Sequence, residues 1–481
     1  MVTLAGSYNS GYRQDSLLYK LISDHVETFL EVANNDSTTH GLPSYVKKEF
    51  KAYLRCGVFA YGFCLVRCIG ADKTEYCKSD LAVPFSCKYR GFCPSCGARR
   101  MHSKSIYLSE RVLPKVNMRQ WVLSLPFELR YWMAADDKIL KKINKITVGE
   151  ISKLIRKKTG RKTAAETKCG LISFFQRSSS DLALNYHFHI LAMDGVFAWN
   201  GDPKVRPKFG KISQPTTQEV EQTVVKIRDR TLKYLVAIGK LSLEGGKCAF
   251  SESDEEIDEH GKIKIAAVRR RIALGERAGE EVRQIGRSFG HTGEAVKITG
   301  ERAARVNGFS LHANRRVKAE CRDELEFLIR YVSRGELSEE SLSLDENGDV
   351  ILALKRPFAN GTTGIKFSPL ELLEKIAGII PYPYKNQIIY SGCFAPNAKM
   401  RSLIILENEG RVEKAEVRSN YIPWAELLRK VYGEDLFVCP HCGGARKIVA
   451  LITRAALIRK ILLHLNLPPD RPETAPSMLG D

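Results

Sequence analysis

The sequence predicts an α+β chain with an N-terminal cysteine-rich, zinc-binding domain. Three observations carry that prediction. Along residues 184–193, Leu184, Tyr186, Phe188, Ile190 and Ala192 fall on one side of an extended strand, and Asn185, His187, His189 and Leu191 on the other. Further on, Leu325, Leu328, Ile329 and Val332 recur at helical spacing and define a buried stripe. Seven cysteines crowd between Cys56 and Cys96.

Composition narrows the possibilities. A chain of 481 residues accommodates two to four domains, and its net charge of +20 with a pI near 9.3 suits a polyanionic partner, nucleic acid first. No run of 18 apolar residues is present, so no membrane partner is expected. The first seven residues lack the basic-then-apolar order of a secretion signal, so a cytoplasmic location is expected. In that compartment thirteen cysteines read as metal ligands rather than disulfides.

Taken in order, residues 1–50 hold an amphipathic helix around Leu18, Leu21, Ile22, Val26, Phe29 and Leu30. Residues 51–112 form the zinc-binding region. Its closing Cys93-Pro94-Ser95-Cys96-Gly97 is a knuckle of two thiolates on a turn. Cys68 and Cys77 are the pair expected to complete a tetrahedral site, with Cys87 in reserve. Tyr89-Arg90 and Arg99-Arg100 around the knuckle suit a phosphate backbone. Residues 113–400 carry the strands Gln120–Pro126, Gly170–Gln176 and the histidine strand, with a helical insertion at about 215–305 that includes an acidic loop at 251–259. Asp194-Gly195 reads as a tight turn from the histidine strand into a second strand, Val196–Trp199.

Residues two apart on a strand sit about 7 Å apart, so the two imidazoles can converge on one ion. On the helical segment Asp323–Arg334, which Gly335 closes, Tyr331 stands between Arg330 and Arg334 on the unpacked face. A phenol can attack a phosphodiester when a divalent ion polarises the phosphate, and flanking arginines would clamp neighbouring phosphates. Residues 401–481 hold a helix at Pro423–Tyr432, the second knuckle Cys439-Pro440-His441-Cys442, and a proline-rich tail after Leu467 expected to be flexible. The second knuckle has only two cysteines nearby. It could recruit His441 or His464, borrow ligands from elsewhere, or bind nothing.

The order of zinc knuckle, "RQWVLSLPFELRY", "NYHFHILAMDGVF", "GFSLHANRRV", "LIRYVSR", "FAPNAK" and "CPHCGG" resembles the rolling-circle transposases of the insertion sequence ninety-one family and their common-region relatives, in the HUH endonuclease superfamily. The resemblance runs from about Leu54 to Pro468. It implies an HUH-type antiparallel sheet with helices on one face, His187 and His189 as metal ligands, and Tyr331 as the nucleophile that becomes joined to a 5′ phosphate. The second tyrosine of some members is Phe327 here, which places the chain with the single-tyrosine subgroup. Gln176 or His312 would be the third ligand, and His312 could instead contact phosphate. The implied cofactors are magnesium or manganese at the catalytic site and structural zinc; the implied partners are single-stranded and element-end DNA. A plasmid replication initiator or relaxase-like nickase would use the same site, and a zinc-dependent DNA-binding regulator would need neither Tyr331 nor the histidines.

Overall fold

The computed structural model describes residues 13–36, 41–70, 77, 81–160, 167–244, 247–250, 260–286, 300–405, 438–439 and 441–479. The helix expected at Pro423–Tyr432 and the acidic loop at 251–259 lie outside them. Among the described residues no helix is long and apolar enough to cross a membrane.

The histidine strand, Leu184–Met193, lies inside a seven-stranded antiparallel sheet. Met118–Ser124 flanks it on one side and Gly170–Ser178 on the other. Beyond these come Phe309–His312 and Ala303–Val306 toward one edge, and Ile388–Gly392 at the other. Arg316–Val317 pairs with the start of Met118–Ser124. The edge strand Ala303–Val306 comes from the end of the segment expected as a helical insertion. That segment also supplies the helix Thr217–Ala237, which opens with a Thr216/Glu219 capping box and buries Val220, Val224 and Ile227.

Strand alternation sorts the sheet's side chains between two cores. Trp121, Leu123, Phe175, Phe188 and Ile190 face a core shared with helices Leu129–Ala135, Asp137–Lys158 and Gly261–Val268. Ile172, Phe174 and Leu191, on the histidine side, pack against Leu325, Leu328, Ile329 and Val332 of the helix Arg322–Val332. Helices therefore cover both faces, and the expectation of one covered face is corrected. An antiparallel strand whose two sides are both buried needs a cover on each.

The Asp194-Gly195 turn leads into the expected second strand, here Gly195–Ala198. Gly195–Ala198 does not fold back on the histidine strand but joins Thr167–Lys168 and Lys208–Lys211 in a separate three-stranded sheet. Two features enforce this path. Asp194 accepts a bidentate pair from Arg119 at 2.8 and 2.9 Å, inside the protein, and a Cβ at Gly195 would clash with the Gly210 carbonyl.

The C-terminal segment returns to the N-terminal region. Arg446–Ile452 pairs antiparallel with Phe63–Cys68, itself paired with Leu81–Pro84. The proline-rich tail lies against the helix Leu17–Asn35, where Ala475 N–H donates to the Ser23 carbonyl and Met478 N–H to Thr28 Oγ1. It is held by backbone hydrogen bonds rather than free as expected.

Arg119 also donates to the Ala313 carbonyl at 2.7 Å, and Arg316 reaches Asp194 at 3.1 Å. Asp194→Ala strips the buried Arg119 of its counter-charge and is expected to cost about 3–5 kcal/mol in urea unfolding followed by tryptophan fluorescence. A loss under about 1 kcal/mol would contradict this account of the strand exit.

Candidate active site

Pairing register brings the site together. Gln176 lies opposite His187 across adjacent strands, so both side chains and that of His189 emerge on one face. Gln176 Oε1 stands 2.9 Å from His187 Nε2 and 3.2 Å from His189 Nε2. The carboxamide nitrogen donates to the carbonyls of Tyr331 and Val332, each at 3.3 Å. Those carbonyls belong to the last turn of their helix and have no intrahelical partner, so the sheet caps the helix that carries the tyrosine. The helix stops at Val332, with Ser333 N–H and Oγ donating back to the Ile329 carbonyl; it ends three residues before Gly335, the expected stop.

The rings follow. His189 and Tyr331 meet edge to face with centroids 6.0 Å apart, and the Arg334 guanidinium lies 5.1 Å from the tyrosine ring centroid. Tyr331 remains 42% exposed, so the phenol is open to a ligand while its helix is packed beneath it. Arg330 turns away toward Glu326 at 3.8 Å and the exposed ring of Phe327. Burial, reinforced by His187 and Arg334, pushes His189 down to about 3, and burial shifts His187 the same way. Both imidazoles are therefore neutral at ordinary pH, as ligands must be.

The tautomers matter as much as the charge. His187 Nδ1–H donates to the Asn185 carbonyl at 2.7 Å, which leaves its Nε2 lone pair toward Gln176. His189 Nδ1 is 2.7 Å from the carboxamide of Gln120, a buried residue on the neighbouring strand. Gln120 Nε2 is the atom that faces this Nδ1; with the amide turned over so that its oxygen accepts from Nδ1–H, His189 presents a bare Nε2 as well. Adjacent ligands of an octahedral ion at about 2.1 Å lie about 3 Å apart. The two Nε2–Oε1 separations meet that spacing and the two imidazole centroids lie 5.0 Å apart, so His187, His189 and Gln176 fit a divalent ion. His312 lies on the same face with Val122 between it and His189, two strands away, and the structure does not bring it to the pair.

Eight of the cysteines form two tetrads. Cys56, Cys87, Cys93 and Cys96 form one, with sulfur separations of 3.4–3.7 Å against about 3.8 Å expected around zinc. Contrary to expectation, Cys68 and Cys77 are not its members; they sit with Cys439 and Cys442 in the other. Cys87, the reserve ligand, belongs with Cys93 and Cys96, and Cys56 takes the place expected for the Cys68–Cys77 pair. The physical reason is the strand Phe63–Cys68, which carries Cys68 to the far end of its sheet, beside Arg446. Arg13 donates to Cys93 Sγ at 3.6 Å and supplies positive charge beside the first tetrad.

Two regions of the chain match family models: residues 21–125 the transposase zinc-binding domain of insertion sequence ninety-one, and residues 170–402 the model described as "Putative transposase". The chain belongs to the insertion sequence ninety-one family of transposases. Comparison with curated proteins and with solved structures gave no match. The first tetrad falls wholly within the matched zinc-binding domain, and its thiols hold structural zinc.

For a transposase, whose partner is DNA, the charge around the site has an evident use. A groove of about 430 Å³ runs between the zinc-binding region and the sheet, lined by Arg90, Arg100, Lys104, Gln176, Arg177 and Arg334 among others. Arg100 reaches the Tyr89 carbonyl at 2.6 Å from the groove wall, whereas Arg99 is turned to Ser86 at 3.1 Å and does not line it. Arg90 lines the groove beside Arg100, and Lys104 and Arg177 are the basic residues that spacing alone did not mark. Gln120 was the other omission, and its signal was a polar residue directly before the apolar run Trp121-Val122-Leu123.

Outer-shell partners of metal-ligating histidines typically contribute 10–100-fold to affinity. Gln120→Leu is accordingly expected to weaken Mn2+ binding by about 10–100-fold in calorimetric titration, with the fold retained. Unchanged affinity would show that Gln120 does not set the His189 tautomer.

Proposed function

We propose that the transposase cuts and rejoins single DNA strands at the ends of its mobile element through a 5′-phosphotyrosine at Tyr331, the rolling-circle chemistry of an HUH endonuclease. The observation that carries this reading is the double engagement of Gln176, whose oxygen faces both histidines while its nitrogen holds the helix turn of Tyr331.

His187, His189 and Gln176 would hold Mg2+ or Mn2+, which would polarise the scissile phosphate and offset the charge that develops on it. Imidazoles alone also suit zinc or iron, but a carboxamide oxygen and a phosphate favour the harder ions. All three protein ligands are neutral, so the site contributes no formal negative charge and DNA phosphate would complete its attraction for the cation. In the reaction the Tyr331 oxygen bonds to phosphorus as the bond to the 3′ oxygen breaks. The phenolic proton leaves to solvent, and the departing oxygen takes one up to become a 3′ hydroxyl. The phosphotyrosine keeps the ester bond, so a 3′ hydroxyl can reverse the step and join a new strand without ATP.

Arg334, over the tyrosine ring, is placed to hold a phosphate flanking the cleaved one, and Arg100 to guide the strand along the groove. Arg330 serves less directly, since Glu326 and Phe327 occupy its guanidinium.

The test uses purified protein, single-stranded oligonucleotides spanning the element ends, and Mn2+. Wild type should give a protein–DNA adduct that survives denaturation; Tyr331→Phe and His187→Ala/His189→Ala should give none while still binding DNA. An adduct formed by Tyr331→Phe would assign the nucleophile elsewhere, and binding without an adduct in any protein would favour a regulator.

A further inference from the structure

The second cysteine tetrad joins parts of the chain that no local spacing connects. We propose that Cys68, Cys77, Cys439 and Cys442 bind a second zinc ion, and that this ion clasps the C-terminal segment to the zinc-binding region. Cys68 and Cys442 sulfurs are 3.4 Å apart, Cys77 and Cys439 sulfurs 3.5 Å, and all four ligand atoms lie within 4.8 Å of one another. Nothing in the match to residues 21–125 includes Cys439 or Cys442.

The backbone around two of these thiols is built for thiolates. Gly70 N–H donates to Cys68 Sγ at 3.3 Å, and Gly444 N–H donates to Cys442 Sγ at 3.4 Å. Each is the amide two residues beyond its cysteine, so the two chain segments direct an equivalent N–H···S contact at the same centre. Both turns rely on glycine in the left-handed region, Gly70 at φ +82° and Gly443 at φ +67°. Amide dipoles directed at sulfur stabilise negative charge, which a zinc-bound tetrad carries: four thiols release four protons and the ion brings two positive charges. The turns are also tied to each other, since Ile69 N–H donates to the Ala445 carbonyl at 2.9 Å.

The clasp has a mechanical role. Three strands of four to seven residues make a sheet too small to be secure alone, and its edge strand Arg446–Ile452 arrives from the far end of the chain. Beyond that strand, Ile458, Leu462 and Leu467 insert into the core shared with the N-terminal helices. A tetrahedral ion at the sheet's end fixes register and closes a loop of more than 360 residues, as the separations of 362 and 374 positions show.

Zinc content decides the matter independently of strand transfer. The full chain, purified without chelator, should hold two zinc ions by plasma mass spectrometry. Cys439→Ser/Cys442→Ser should hold one, and limited proteolysis should then release residues 438–479 at least tenfold faster. One ion in wild type, or two in the double variant, would overturn the proposal. Should the double variant not fold, Cys442→His supplies the second arm: it should keep two ions, with the visible bands of the cobalt-loaded protein shifted to shorter wavelength. An unshifted cobalt spectrum would equally overturn it.

Discussion

The side chain of Gln176 is the constraint on which the site depends. It is buried, so each of its polar atoms must find a partner, and it does so in two directions: toward the histidines of the adjacent strand and toward the open carbonyls of a helix more than 150 residues later. A shift of the helix along the sheet would leave a buried amide unpaired and move the tyrosine away from His189. The cost of an unsatisfied buried group, about 1–3 kcal/mol, therefore works as a positional lock. The packing of Leu325, Leu328, Ile329 and Val332 on Phe174 and Leu191 supplies the bulk of the attachment, while the amide sets its register.

A second constraint brings the zinc-binding region to the same place. Its helix Pro94–Tyr107 packs beside the tyrosine helix, and Gly97 approaches Gly335 so closely that an added Cβ at either would contact the other's Cα, at 3.5 and 3.8 Å. The groove that results has its basic residues on both walls: Arg90, Arg100 and Lys104 from one region, Arg177 and Arg334 from the other. Arg177 is itself braced by Glu336 at 2.9 Å and by the Ile379 carbonyl at 3.0 Å, so its charge is fixed in place rather than loosely solvated. Zinc thus contributes to the architecture of the groove without touching the reacting atoms.

Much of this arrangement was legible in the sequence because it rests on local periodicity. Alternation put His187 and His189 on one side of a strand, and the helical stripe put Tyr331 and Phe327 on the open side of its helix, with Arg330 and Arg334 beside them. Gln176 could be placed on the correct face of its strand, but its preference over His312 required the strand order, which periodicity does not contain. The cysteine pairing failed for the same reason: spacing rules favour neighbours, whereas Cys68 and Cys77 find partners 374 and 362 positions away. The Asp194-Gly195 turn and the strand after it were legible, but the partners of that strand were not, since Asp194 is held by Arg119, a residue 75 positions earlier. Where a feature depends on one segment the sequence speaks clearly, and where it depends on two it gives only the participants.

The account's central claim is that Tyr331, and no other tyrosine, is brought to the phosphate by the histidine–glutamine cluster. The most direct measurement is to trap the wild-type adduct on an element-end oligonucleotide, digest it with nuclease and trypsin, and sequence the modified peptide by mass spectrometry. Cleavage after Arg330 and Arg334 would isolate Tyr331-Val332-Ser333-Arg334, and the account predicts a residual nucleotide phosphate on its tyrosine. A nucleotide on any other tyrosine would contradict it.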